Sequence, residues 1–272
     1  MNKSLVSTGV AVLALWIISK WLGIWVSLGI VLIGVLILMW NRRASILTQF
    51  AAQAYYIKGD TKKGEKLYKM AYKTGMMTAN CKLAYSSFCL RENQFDKGKR
   101  LLNEVINSSR SSEDDRIEAR HNMAVLVWRE GDLDTAIEII EEVHKERPAT
   151  NTYGTVGVLY LEKAKRDGGY ADILDFMLEA YDYNDADKTI ADNLGETYLH
   201  MEEYEKAKEV YAKLLEHELI TPMPYYNYGI VLKNTGDIEG AKESFEKALN
   251  CRFTSVITVT REMVQAELDS LQ

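Results

Sequence analysis

From Leu5 to Trp40 the chain carries a single charge, Lys20. Beyond Asn41 the pattern changes, and apolar residues recur at spacings of three and four among charged ones. The first pattern predicts a membrane segment and the second a series of amphipathic helices. At ~1.5 Å per residue, one helix over the 36 apolar positions would be roughly 54 Å long, against a hydrocarbon core of about 30 Å. Two arrangements fit that surplus. Residues 5–19 and 22–40 form a helical hairpin turning at Lys20-Trp21-Leu22-Gly23, or only residues 22–40 span and the first stretch lies in the interface or extends the span. Four tryptophans, Trp16, Trp21, Trp25 and Trp40, mark headgroup levels near Lys20 and near Trp40, and the short first arm favours the hairpin. No small-x-small cleavage pattern follows the first apolar stretch, so a removed leader is disfavoured.

After the anchor a tight-turn signal recurs, as Gly59-Asp60-Thr61, Asn93-Gln94-Phe95, Gly131-Asp132-Leu133, Gly168-Gly169-Tyr170, Glu202-Glu203-Tyr204 and Gly236-Asp237-Ile238. The intervals are 34, 38, 37, 34 and 34 residues, a period that signals a repeat architecture. Each turn is followed by three positions on one helical face: Gly64/Tyr68/Ala71, Gly98/Leu102/Val105, Ala136/Ile140/Val143, Ile173/Met177/Ala180, Ala207/Tyr211/Leu214 and Ala241/Phe245/Ala248. Each is preceded by a second helix with a small residue in mid-face, Gly157, Gly195 and Gly229 among them. A helical glycine costs roughly 1 kcal/mol against alanine, so its recurrence predicts close helix contact.

These positions resemble the tetratricopeptide repeat family. The resemblance is sharpest at Leu194-Gly195-x-x-Tyr198 with Ala207 and Tyr211, and at Tyr225-x-x-Tyr228-Gly229-x-x-Leu232 with Ala241, Phe245 and Ala248. It covers most of residues 45–255, as repeats at 45–78, 79–112, 117–150, 151–187, 188–221 and 222–255. Repeats one and two are degenerate, and repeat four holds about four extra residues before its turn. The resemblance implies an all-α, right-handed solenoid of about six helix pairs with a concave inner face. Solenoid ends need a cover, and residues 256–272, with Val256, Val259, Met263, Ala266 (or Val264) and Leu268 on one stripe, predict a capping helix.

Charge divides the chain as sharply as hydropathy does. Residues 1–110 hold 16 Lys/Arg against 5 Asp/Glu, and residues 111–272 hold 17 against 34. Arg42, Arg43, Lys58, Lys62, Lys63, Lys66, Lys69 and Lys73 follow directly on the apolar run, which predicts a cell-membrane protein with its body in the cytoplasm. Cys81, Cys89 and Cys251 are an odd number at no metal-ligand spacing and fit a reducing compartment. No phosphate loop, His-x-x-x-His pair or Cys-x-x-Cys appears, so the reading is a non-enzyme with no cofactor and no metal. The basic residues adjoin the bilayer segment, which argues against nucleic acid as a partner.

The resemblance also implies where a ligand would bind. In peptide-binding members the sixth position of each repeat's first helix faces the groove, where an asparagine amide can both donate to and accept from a peptide backbone. Here that position is Asn122, Thr155, Asn193 and Asn227 in repeats three to six, with Phe50 and Ala84 breaking the row. Trp128, Tyr226, Asp192 and Glu196 stand beside it, with His121 and Lys233. The expectation is a membrane-anchored adaptor that binds a protein or peptide partner through this groove. The alternative is a structural or assembly subunit of a membrane complex, using its convex face and its membrane segment.

Overall fold

The computed structural model describes residues 3–253 and 258–271, and those residues are helical with no strand among them. Two compact units divide the chain, residues 1–85 and residues 86–272.

In the first unit α1 (Lys3–Leu22) and α2 (Ile24–Asn41) join at Gly23, whose φ of 79° ends the first helix. α2 is the one described helix long and apolar enough to cross a membrane. Beyond Gly29 every α2 side chain up to Trp40 is exposed, so no face of it is buried against α1. Near the turn Ser27 is buried and Gly29 half-buried, and the two arms meet at Gly23. After Arg42 come α3 (Arg43–Ala52), a five-residue π turn (Gln53–Ile57), α4 (Thr61–Lys73) and the start of α5 (Ala79–Arg91). α3 and α4 pack antiparallel, because a Cβ on Gly64 would lie 3.0 Å from Tyr55 Cβ and 3.4 Å from the Ala51 carbonyl oxygen.

The second unit continues with α6 (Phe95–Ile106), α7 (Glu113–Glu130), α8 (Leu133–Glu146), α9 (Thr150–Asp167), α10 (Tyr170–Tyr183), α11 (Lys188–His200), α12 (Tyr204–Leu214), α13 (Met223–Asn234), α14 (Ile238–Asn250) and α15 (Arg261–Asp269). Pairs α7/α8, α9/α10, α11/α12 and α13/α14 stack in chain order, each second helix also touching the next pair's first helix.

The turn signals work by a division of labour. Their first residues, Gly59, Asn93, Gly131, Gly168, Glu202 and Gly236, all take positive φ and stop the preceding helix. Where the second residue is Asp it caps the next helix: Asp60 accepts from Lys63 N at 2.9 Å, Asp132 from Thr135 N at 3.1 Å and Asp237 from Gly240 N at 3.0 Å. The large residues predicted behind each turn, Tyr68, Leu102, Ile140, Met177, Tyr211 and Phe245, are all fully buried. In repeat four the first of the three positions is Ile173 rather than a small residue, and it stays half-buried.

The glycines act as the spacing predicted, with one addition. A Cβ on Gly195 would lie 2.7 Å from the Tyr211 ring, and one on Gly229 would lie 2.5 Å from the Phe245 ring, each a contact within its own pair. A Cβ on Gly157 would meet Met177 Sδ at 3.3 Å but Asn193 Nδ2 at 2.4 Å, so this glycine also makes room for the next repeat.

The predicted capping stripe needs a correction in register. α15 begins at Thr260, whose hydroxyl accepts from Met263 N at 3.2 Å. Val264 is then fully buried and Met263 is 43% exposed, with Leu268 and Leu271 packed on the same core. Val256 lies outside the described residues.

Candidate functional site

The first helices of pairs three to six, α7, α9, α11 and α13, supply one face of the second unit. A cavity of about 610 Å³ opens there, walled by Trp128, Val158, Leu161, Met223 and Pro224 and by Leu219–Thr221 of the α12–α13 connection. Asp192, Asn193, Glu196, Glu162 and Lys165 supply its polar side. Four residues singled out from the sequence, Trp128, Asp192, Asn193 and Glu196, thus converge on one site.

Its electrostatics centre on two carboxylates one helical turn apart. Glu196 is buried and paired with Lys165 at 2.7 Å, and His200 Nε2 stands 3.7 Å away. Burial alone would raise the Glu196 carboxyl, but His200 and Lys165 hold it below the ordinary value. Burial likewise works against the Lys165 ammonium, and the Glu196 charge more than offsets it, so Lys165 stays firmly protonated. Asp192 also feels Lys165, but less strongly than its burial and the neighbouring Glu196 charge. Burial, with Glu196 beside it, pushes Asp192 up to about 7. The Tyr211 hydroxyl donates to Asp192 Oδ1 at 3.1 Å, and Tyr211 in turn is driven above its usual range by burial and by Asp192.

The asparagine row is not a uniform ladder. Asn193 is 5% exposed and its Nδ2 donates to the Gly154 carbonyl at 3.0 Å, so it ties repeat five to repeat four instead of offering that donor to a ligand. Asn227 is equally buried; it lies close enough to favour the charged form of Asp192, although its Nδ2 has no hydrogen-bond partner. Asn122 is half-buried on α7, and Thr155 shares a 2.9 Å hydrogen bond with His121 Nε2. Neither lines the cavity. Tyr226 packs on Phe245, with its centroid 6.0 Å away, and feels the Glu267 charge of α15. Lys233 is likewise held by Glu267 at 2.8 Å and by Ser270 at 2.9 Å, so the cap occupies the last repeat's share of the groove.

Neither Lys165 nor the Leu219–Thr221 wall stands out in the sequence. Lys165 could have been found from its spacing, since it lies three residues after Glu162 on α9, but its partner Glu196 is contributed from 31 positions further along. A second cavity, of about 900 Å³, lies among α12, α13 and α14 and is lined by Leu215, Tyr228, Glu243, Lys247 and Arg252. None of the predicted groove residues reaches it.

The sequence pattern of the tetratricopeptide repeat matches residues 190–216 and 224–251, which are the α11/α12 and α13/α14 pairs. No curated protein matches the chain. Among solved structures, a tetratricopeptide repeat protein of Thermus thermophilus superposes with a TM-score of 0.55 at 15% identity, over 71% of this chain and 98% of that one. A chain of the Cut9–Hcn1 hetero-tetramer of APC/C superposes with a TM-score of 0.63 at 14% identity, over 80% of this chain and 41% of that one. These likenesses show the fold, an all-α array of stacked helix pairs, two of which match the tetratricopeptide repeat pattern.

Proposed function

We propose that the protein is a membrane-anchored, non-catalytic adaptor, with α2 in the cell membrane, the repeat body in the cytoplasm and a protein partner held on the inner-helix face. The apolar α2 and the basic residues that follow it support the anchor and its orientation. The observation that carries the adaptor reading is the 610 Å³ cavity, in which an indole, a buried ion pair and a carboxyl poised near neutrality face the same space. An extended or helical segment laid across α7, α9, α11 and α13 would seat an apolar side chain against Trp128 and Leu161. Its polar groups would meet Asp192, Glu196 and Lys165. Helical-repeat arrays use such faces as extended binding surfaces, with a few aromatic anchors dominating the energy.

The test is affinity capture with the detergent-solubilised full chain, comparing wild type, Trp128→Ala and the outer-cavity variant Lys247→Glu. Trp128→Ala should lose the partners that wild type retains, at unchanged helicity, while Lys247→Glu keeps them. The larger cavity of α12–α14 favours the second reading, a structural subunit that binds through its outer helices. Loss on Lys247→Glu with retention on Trp128→Ala would select that reading.

A further inference from the structure

α4 presents two opposite faces. Gly64, Tyr68 and Ala71 are buried against α3, while Lys62, Lys66, Lys69, Met70 and Lys73 lie half a turn away and are exposed. The exposed face is mixed in a particular way: Met70 is 44% exposed, Tyr72 38% and Met76, in the turn after α4, 39%. Within α4 Glu65 pairs with Lys69 at 2.7 Å, on the surface where such a pair contributes little.

The position of this face follows from chain geometry inside the first unit. α2 ends at Trp40, which is 66% exposed; Arg43 lies over its ring at 4.3 Å and donates to its carbonyl at 2.7 Å. The helical ladder breaks at this junction: Arg42 N closes α2 on Leu38 O, and Ile46 N opens α3 on Arg42 O. Ser45, in the first turn of α3, stays within a few residues of the end of α2. α4 runs back along α3, and Cys81 Sγ, in the first turn of α5, lies 3.6 Å from Ser45 Oγ. The end of α4 and the turn before α5 are thereby returned to the level at which α2 ends.

We propose that Lys66, Lys69, Met70, Tyr72, Lys73 and Met76 dock onto the anionic headgroups of the leaflet from which α2 emerges. The inference rests on α2 being membrane-embedded. Charge complementarity selects the occupant: lysines at one spacing reach phosphates while the thioethers and the phenol enter the interface between them, as Trp40 does at the end of the span. Each basic residue near such a surface raises local occupancy about five-fold. The docked face would fix the first repeat to the bilayer.

The full chain is placed in nanodiscs of phosphatidylcholine, alone or mixed with phosphatidylglycerol, and lysine acetylation is followed by mass spectrometry. Lys66, Lys69 and Lys73 should label about five-fold more slowly in the anionic discs, recovering at ~1 M salt where screening falls to about 3 Å, while Lys208 and Lys242 do not change. Met70 and Met76 should resist peroxide in anionic discs, and the triple variant Lys66→Gln, Lys69→Gln, Lys73→Gln should lose that protection while still co-eluting with the discs. Equal labelling in both discs, with the protein co-eluting, overturns the docking alone. Failure to co-elute with either disc overturns the anchor and the docking together. Protection by added RNA on neutral discs, with none from phosphatidylglycerol, reassigns the stripe to nucleic acid and also overturns it.

Discussion

Gly229 and Gly154 are both helical glycines of inner helices, yet replacing each with alanine should move stability in opposite directions. In an unconstrained helix the change stabilises by about 1 kcal/mol. A Cβ on Gly154 would meet only the Thr189 side chain, at 3.4 and 3.5 Å, so most of that gain should be realised. On Gly229 the same atom would lie 2.5, 2.7 and 2.8 Å from three carbons of the Phe245 ring, about 1 Å inside ordinary contact. Phe245 is fully buried and has no room to withdraw, so an overpacking cost of about 1–3 kcal/mol exceeds the propensity gain. Gly229→Ala should therefore lose up to about 2 kcal/mol locally, and the two variants should differ by about 2 kcal/mol. Amide hydrogen exchange reads this directly: α13 and α14 should exchange up to about 30-fold faster in Gly229→Ala, while α9 slows in Gly154→Ala. Adding Phe245→Leu to Gly229→Ala should return part of the loss, because the two positions are in contact. If Gly229→Ala slows exchange as much as Gly154→Ala does, the glycine is not there to admit the ring and the packing argument is wrong.

Two further outcomes follow from local features. The Asp192 carboxyl titrates near 7 when folded against about 4 when unfolded, so between those values the folded state holds a proton that the unfolded chain lacks. Its contribution to stability is greatest at the acidic end of that window, falls as pH rises and is level above 7. Asp192→Asn should thus raise the melting temperature more at pH 8 than at pH 5, and an equal rise at both would contradict the upward shift that desolvation and Glu196 give this carboxyl. Glu202 holds φ at 60° in the position that four of the other five turns fill with glycine. Glu202→Gly should stabilise by about 0.5–1 kcal/mol, relief of strain exceeding the added freedom of the unfolded chain, and a lower urea midpoint would count against it.

The repeat unit is legible in the sequence because its physics is local. A positive-φ stop, an Asp cap and a 4-and-3 apolar stripe all act within about 20 residues, so Gly131-Asp132 and Ala136/Ile140/Val143 declare their roles to a reader of the sequence alone. The candidate site is only half legible for the opposite reason. Which way a polar side chain on an inner helix turns depends on the neighbouring repeat: Asn193 and Asn227 occupy the same position, yet one reaches back to Gly154 and the other faces Asp192. The turn between the apolar arms is legible at Gly23, whereas a short helix such as α15 carries too little periodic information to choose between Ala266 and Val264. In α15 the cap at Thr260, not the hydrophobic count, decides that Val264 points inward.

The lid at the carboxyl end has a consequence for assembly. Arrays of stacked helix pairs invite head-to-tail polymerisation, since each terminal pair resembles the surface that its missing neighbour would cover. Here α15 seals that surface with Val264 and Leu268, and Arg261 pins it to the Leu249 carbonyl at 2.8 Å. Head-to-tail growth through this face would first require α15 to lift off it.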